Sequence, residues 1–558
     1  MKSVFRFLNK ETSSLHAAAY LLGIFAVLSQ IMAFFRDRLL AHVFGASAAL
    51  DSYYAAFRIP DFLFVTVASV VSLSVLVPFI VEREKIGKQE VRKFIDTIFS
   101  FFSVLIIGVS ILAFFLIPYL APLLFKGFSG DALARVILLS RVFLLSPIFL
   151  GFSNLLGSLT QAYNRFLVYA AAPLVYNLGI ILGTAYLAPH YGVLGVAIGV
   201  VGGSFLHMAT QIPAVVRLGL FPSLRPSFDF SSVRRVATLS FPRTLSLSVN
   251  HIAQLFLISL ASLMPVGSIS IYSFALNIQS VPLSIIGVSY SLAVFPTLTR
   301  HFSDKNIEGY VDQMAITARH IIFWSLPATA LFVMLRTQLV RVLLGSGRFS
   351  FDDTRLTGAA LAVFAVSALS QSLLLLFTRA FYSAGHTKKP FLINFISACV
   401  TIGFAYGFVK LYYASSGFAG FFSSLLGVSD LGAVVLMLPL GYTIGTILNG
   451  IVHWVGFEKD FPGFSKKTMR TLYESLFASL VLAFGTYGAL RALAPHFNSD
   501  SLTGALFLGL AAGVLGIIAG IATLVLIGNT ELKEAFKSIR MRAGLEQAVT
   551  TPENIDAM

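Results

Sequence analysis

The sequence carries little charge. Asp, Glu, Lys and Arg make up 12% of its 558 residues, about half the share of a typical soluble domain. With 57% hydrophobic residues and a mean hydropathy of +0.84, there are too few polar groups to cover a water-facing surface. A soluble globular domain and a disordered chain are both excluded. Cys399 is the single cysteine, so an intramolecular disulfide and a cysteine-ligated metal are excluded too. The sequence has no Walker loop, no HExxH and no paired acids placed for hydrolysis inside its apolar runs. No catalytic residue, metal or cofactor is therefore expected, and the chain does not read as an enzyme. Its glycines and prolines follow no collagen-like period.

What is present is a series of long apolar runs. A helix needs about 20 such residues to cross a bilayer. About fourteen runs qualify, here called spans 1 to 14: 16–35, 51–81, 94–122, 133–162, 168–188, 192–217, 233–263, 270–300, 315–344, 355–384, 390–411, 431–456, 472–493 and 502–528. No β-barrel alternation occurs, which leaves helices as the solution that satisfies backbone polar groups in lipid.

The net charge of +15 would suggest nucleic acid in a soluble protein. Here the basic residues cluster in the termini and in the loops after even-numbered spans, as with Arg83, Lys85, Lys88, Arg92 and Lys93, or Lys459, Lys466, Lys467 and Arg470. That bias predicts cytoplasmic termini and no nucleic-acid partner. The first apolar run is too long for a signal peptide and reads as an uncleaved span. The charged tail beyond Gly528 reads either as a short surface helix or as a solvated end.

A weak internal repeat is visible. Pro296 follows Pro78 by 218 positions, and Tyr272 follows Tyr54 by the same distance. So does the Thr378–Phe381 tetrapeptide relative to Thr160–Tyr163. Span 2 thus maps onto span 8 and span 4 onto span 10. Six spans separate each pair, so the repeats run parallel about an axis along the membrane normal. The expected fold is all-α and integral to the membrane, with two six-helix lobes in a parallel pseudo-twofold repeat and a C-terminal helix pair. The expected organisation is a cytoplasmic N-terminus at 1–15, an N-lobe at 16–217, a C-lobe at 218–456, spans 13 and 14 within 472–528, and a cytoplasmic tail at 529–558. Two lobes suggest alternating access, with kinks at Pro60, Pro147, Pro173, Pro213, Pro242 and Pro282 as candidate flexures.

Ionisable groups at membrane depth cost about 2.5–3.5 kcal/mol each on insertion scales and need a partner or a wet cavity. The densest set lies early. Arg36, Asp37 and Arg38 close span 1, and Asp51 opens span 2. Tyr54 and Arg58 follow Asp51 at i+3 and i+7, on one helix face. Such a groove suits an anionic head group, because guanidinium binds phosphate bidentately. The alternative is interfacial pairing of Arg36 and Arg38 with Asp37 and Asp51. In the second half Arg243 is a further cavity candidate. His207, His251 and His320 read as helix contacts rather than proton carriers.

The run from Arg36-Asp37-Arg38 through FGASAALDSYYAAFRIPDFL resembles the signature of the MurJ (MviN) family of lipid II flippases, within the MOP exporter superfamily. The stretches at 157–183, 241–255, 347–364 and 378–390 are similar to that family in the same order. The resemblance implies a flippase in the bacterial cytoplasmic (inner) membrane. It would move undecaprenyl-pyrophosphate-linked peptidoglycan precursor from the inner to the outer leaflet, serving cell-wall synthesis. The implied partners are that precursor and membrane lipids, with cell-wall synthesis proteins as further candidates. The implied substrate-binding residues are Arg36, Asp37, Asp51, Arg58 and Arg243.

The sequence departs from the family at Gln30, Phe64, Val65 and Asn277, where three cavity arginines are expected and absent. Span 11 has no acid, so the sodium site of some members is not expected. The alternatives are export of another polyprenyl-linked glycan, small-molecule/cation antiport, and a non-transporting scaffold that binds the precursor.

Overall fold

The computed structural model describes residues 15–68, 73–224, 229–498 and 501–542. Within its helices the side chains of 15–20, 73–75, 239, 241–243, 246–247, 430–431 and 538–542 lie outside the description. Among the described residues every regular element is helical, the form in which an apolar run satisfies its own backbone in lipid.

Each expected span carries helix. Spans 1 to 7 are Leu15–Phe44, Ala48–Ala68 with Leu73–Glu84, Lys88–Leu124, Gly130–Ala162, Phe166–Tyr191, Val193–Arg217 and Phe230–Ser262. Spans 8 to 14 are Ser268–Ser303, Ile307–Met334, Phe351–Ala365 with Ala368–Ser383, Lys388–Ala414, Val434–Asp460, Phe464–His496 and Leu502–Ile527. Among the described residues, ten helices are long and apolar enough to cross a membrane, or eleven with the two halves of span 10 counted as one. Spans 1, 2 and 7 are not among them, and each includes residues outside the description. Span 1 carries Arg36, Asp37 and Arg38 in its second half, and span 2 carries Asp51, Arg58 and Asp61. Span 7 opens with Arg234 and Arg235, and its described apolar stretch is Ser248–Ser262.

Irregularities follow local chemistry. Span 8 takes a wider π-helical turn at Leu283–Val288, directly after Pro282, whose ring cannot fit a regular i−4 bond. Span 4 breaks at Leu144, three residues before Pro147. Span 10 bends by 43° between its halves without a proline. Span 7 starts at Asp229, which accepts from the Ser231 amide at 3.0 Å and from the Ser231 and Ser232 hydroxyls at 2.6 Å each. These hydroxyl and amide donors pull its carboxyl down to about 2.

The chain forms two compact units. The first comprises Met1–Ile278, Leu339–Phe364 and Thr387–Asn449; the second comprises Gln279–Gln338, Ala365–His386 and Gly450–Met558. In the first unit, Phe79, Phe94, Phe102, Leu155, Leu159 and Val233 join spans 2, 3, 4 and 7 in one buried cluster. Spans 5 and 6 approach through glycine. A Cβ on Gly179 would sit 2.4 Å from the Gly203 Cα, so only hydrogen fits between these backbones. That contact sets span 5, which packs against span 1.

In the second unit, Tyr310 donates to the Ala380 carbonyl at 2.7 Å inside a cluster that holds Phe377, Phe381, Phe457 and Phe464. The tail forms a helix, Thr530–Arg542, after Gly528 turns the chain with φ +75°. Its Glu531 is buried. The carboxylate accepts from Thr471 at 2.8 Å and lies 3.2 Å from the Arg319 Nε. Leu532 packs with Phe323, Ala478 and Leu524.

Candidate functional site

The site lies in the first unit and grows from the end of span 1. Arg36 curls its guanidinium back onto Asp37, giving Nε and Nη2 to Oδ1 at 2.9 and 2.7 Å. Its Nη1 donates to Asn177 Oδ1 of span 5 at 3.0 Å. The Asn177 amide group donates in turn to the Pro173 carbonyl at 3.1 Å. The second Asp37 oxygen accepts from Asn277 Nδ2 of span 8 at 3.0 Å. The Arg36 side chain keeps 20% exposure against 5% for Asp37. An ion pair at this depth is tolerated because amides satisfy what it leaves over. Three bonds use three of the five N–H donors of a guanidinium, leaving two for other acceptors. Arg38 is spent elsewhere, donating to the Val342 carbonyl.

Asp51 does not face Arg36. It is buried, and its Oδ2 accepts from the Gly267 amide at 2.6 Å. Oδ1 accepts from the Ser270 amide at 2.8 Å and the Ser270 hydroxyl at 2.6 Å. The carboxylate thus takes up free amides at the start of span 8, where the helix dipole favours an anion. It ties span 2 to span 8.

Further along span 2 the polar atoms run out of partners. Tyr54 meets the Phe274 ring edge at 5.8 Å, yet its buried hydroxyl has no hydrogen bond, and neither has the buried Nε of Arg58. Leaving a buried donor unmade costs about 1–3 kcal/mol, which a visiting acceptor recovers. Nearby on the same unit, Tyr272 donates to Gln254 at 2.9 Å. Asp61, one turn beyond Arg58, lies 3.2 Å from His251 of span 7.

Arg243 is in the helix of span 7, but its side chain lies outside the described residues. The positions that depart from the family pattern have different fates. Phe64 packs on the apolar cluster of spans 2, 3 and 4, so this position is part of the packing. Val65 and Gln30 are half-buried. Asn277, at an expected arginine, is drawn into the site through Asp37. The structure brings the expected Arg36 and Asp37 together and adds Asn177, which the sequence reading did not name. A lone amide four residues after a proline in a run as apolar as FLVYAAAPLVYNLGIIL was the available signal. The sequence reading also missed that His251 and Asp61 are partners.

Taken together, the arrangement offers a guanidinium held by an acid and an amide, with unsatisfied polar atoms of Tyr54 and Arg58 on the next helix. That suits an anionic group. Comparison with known proteins identifies the family. A family model described as "Lipid II flippase MurJ" matches residues 40–511. A probable lipid II flippase MurJ of Buchnera aphidicola is 24% identical over 470 residues, 83% of this chain and 87% of that protein. One from Haemophilus influenzae is 26% identical over 420 residues, covering 72% and 82%. Among solved structures, a lipid II flippase MurJ in an inward closed conformation is similar in fold, with TM-score 0.72 and 22% identity over 91% of this chain and 98% of that one. An inward-facing multidrug resistance MATE transporter of the MOP superfamily is similar at TM-score 0.63 and 16% identity, covering 78% and 96%.

Proposed function

Because this chain belongs to the lipid II flippase MurJ family, we propose that its charged cluster on spans 1 and 2 takes the pyrophosphate of a polyprenyl-linked peptidoglycan precursor. The protein is a multi-pass membrane transporter rather than a catalyst, and it moves lipid II between leaflets by alternating access. Arg36 and Arg58 supply donors to the anion, and Arg243 adds a third cation. Asp37 holds the Arg36 guanidinium in orientation. Asp51 fixes the start of span 8, so that Asn277 stays against Asp37. The head group crosses through the polar interior, and the prenyl tail stays in lipid. Both termini face the cytoplasm of a bacterial inner membrane. The residues 16–217 and 218–456 act as the two lobes, with the spans within 472–528 and the tail 529–558 as additions.

The observation that carries this reading is the pair of buried, partnerless polar atoms, Tyr54 Oη and Arg58 Nε, one turn apart beside the Arg36–Asp37 cluster. A hydrogen bond to a charged group contributes about 1.5–3 kcal/mol, and a tenfold change in affinity is about 1.4 kcal/mol. Arg58→Gln is therefore expected to weaken lipid II binding in nanodiscs by about tenfold or more. Unchanged binding removes Arg58 from the site.

A further inference from the structure

His251 Nδ1 lies 3.2 Å from Asp61 Oδ2, with the two side chains 33% and 27% exposed. Neither belongs to the anion-binding set. His251 sits in the apolar Ser248–Ser262 stretch of span 7, and Asp61 follows Pro60 inside span 2. A carboxylate and an imidazole at membrane depth are expensive groups, and such pairs mark ion or proton pathways. Their partial exposure leaves both reachable by water, as proton exchange requires.

Among the described residues, several other ionisable groups on the helices packed around spans 2 and 7 have partners of their own, whereas the Tyr54 hydroxyl has none. Arg36 holds Asp37, and Asp51 holds the start of span 8. His207 bonds to Ser153, Tyr272 to Gln254, and Arg141 to the Phe114 carbonyl. Toward the other end, Asp96 accepts from the Ser223 amide, Arg83 donates to Ser232, and Arg235 faces Glu82. On span 11, Cys399 is exposed and Lys410 lies over the Tyr406 ring. Two further described groups lie near the pair, and the side chain of Arg243, two turns before His251, lies outside the described residues. Tyr176 of span 5 is within electrostatic reach of Arg36 and Asp61, and Arg58 is one turn before Asp61. Tyrosine and arginine hold their protons through the neutral range, whereas a carboxylate–imidazole pair is of the kind that exchanges one there.

We propose that Asp61 and His251 form a proton-carrying pair that couples entry of one proton to the flippase cycle. The inference rests on the flippase reading for the event it is coupled to. With Nδ1–H donated to Asp61, the other ring nitrogen, Nε2, takes up the proton. The imidazolium then forms a charge-assisted bond to the carboxylate, which is stronger than the neutral one. Release from Nε2 restores the neutral imidazole, and no other bond changes. Span 2 belongs to the first sequence repeat and span 7 to the second, so uptake tightens a bond between the repeats and release loosens it.

The test uses the full-length protein in liposomes, with labelled lipid II and a pH dye inside. A proton gradient, acid on the side toward which lipid II moves, accelerates wild-type translocation several-fold, and the dye reports proton flow. Asp61→Asn and His251→Gln keep gradient-independent translocation and lose both the acceleration and the flow, while Asp61→Glu keeps both. His251→Gln retains a donor for Asp61, which guards against loss of fold. Variants that respond like the wild type overturn the proposal. Wild-type translocation indifferent to the gradient also overturns it and leaves the flippase reading standing. Asp61-dependent proton flow without lipid II movement supports the proton site and overturns the flippase reading.

Discussion

Asn277 gives its side-chain amide to Asp37 across 240 positions of sequence, at 3.0 Å. Asn277, at a position where the sequence reading expects an arginine, is thus bonded to the acid that holds Arg36.

Replacing that amide tests the arrangement. Asn277→Ala leaves one buried Asp37 oxygen without its donor, at a cost of about 1–3 kcal/mol. A lowered unfolding temperature in detergent is expected. Asn277→Arg restores a cation beside Asp37 and is expected to tighten lipid II binding, measured in nanodiscs.

Asp51 supports the start of the helix that carries Asn277. Asp51→Ala removes the acceptor for two amides and a hydroxyl at the start of span 8. Destabilisation of about 1–3 kcal/mol is expected. Asp51→Asn keeps one carbonyl oxygen and loses less. The order wild type, Asn, Ala in thermal unfolding checks the capping role, and equal stability of all three contradicts it.

The glycine contact between spans 5 and 6 positions Asn177 and Tyr176. Gly179→Ala forces a methyl into 2.4 Å of backbone on span 6, so the helices must separate. Overpacking of this kind costs about 1–3 kcal/mol. The variant is expected to unfold at lower temperature and to bind lipid II more weakly, because span 5 carries the Asn177 partner of Arg36. Gly202→Ala, where a Cβ meets nothing within 4 Å, serves as the neutral comparison on span 6.

The spans were legible because apolar length and helical repeat are local properties. The face of span 2 that carries Asp51, Tyr54 and Arg58 was legible for the same reason, since i+3 and i+7 fix a helix side. The partners were not. Asp51 looked like an arginine's counterion, but its oxygens go to amides of Gly267 and Ser270, and nothing in local sequence marks which distant helix end will arrive. His251 looked solitary because Asp61 lies 190 positions away, and only the packing of span 7 on span 2 joins them. Phe64 shows the converse. A missing arginine read as lost charge, while the structure uses the position for apolar packing.

The most direct test of the account is translocation of labelled lipid II by the protein in liposomes, with Arg36→Ala at equal protein level. Wild-type translocation that falls at least about tenfold in the variant, as expected for loss of a charged hydrogen-bond donor, is the predicted result. Translocation unchanged by the substitution contradicts the assignment of the span 1 cluster as the anion site.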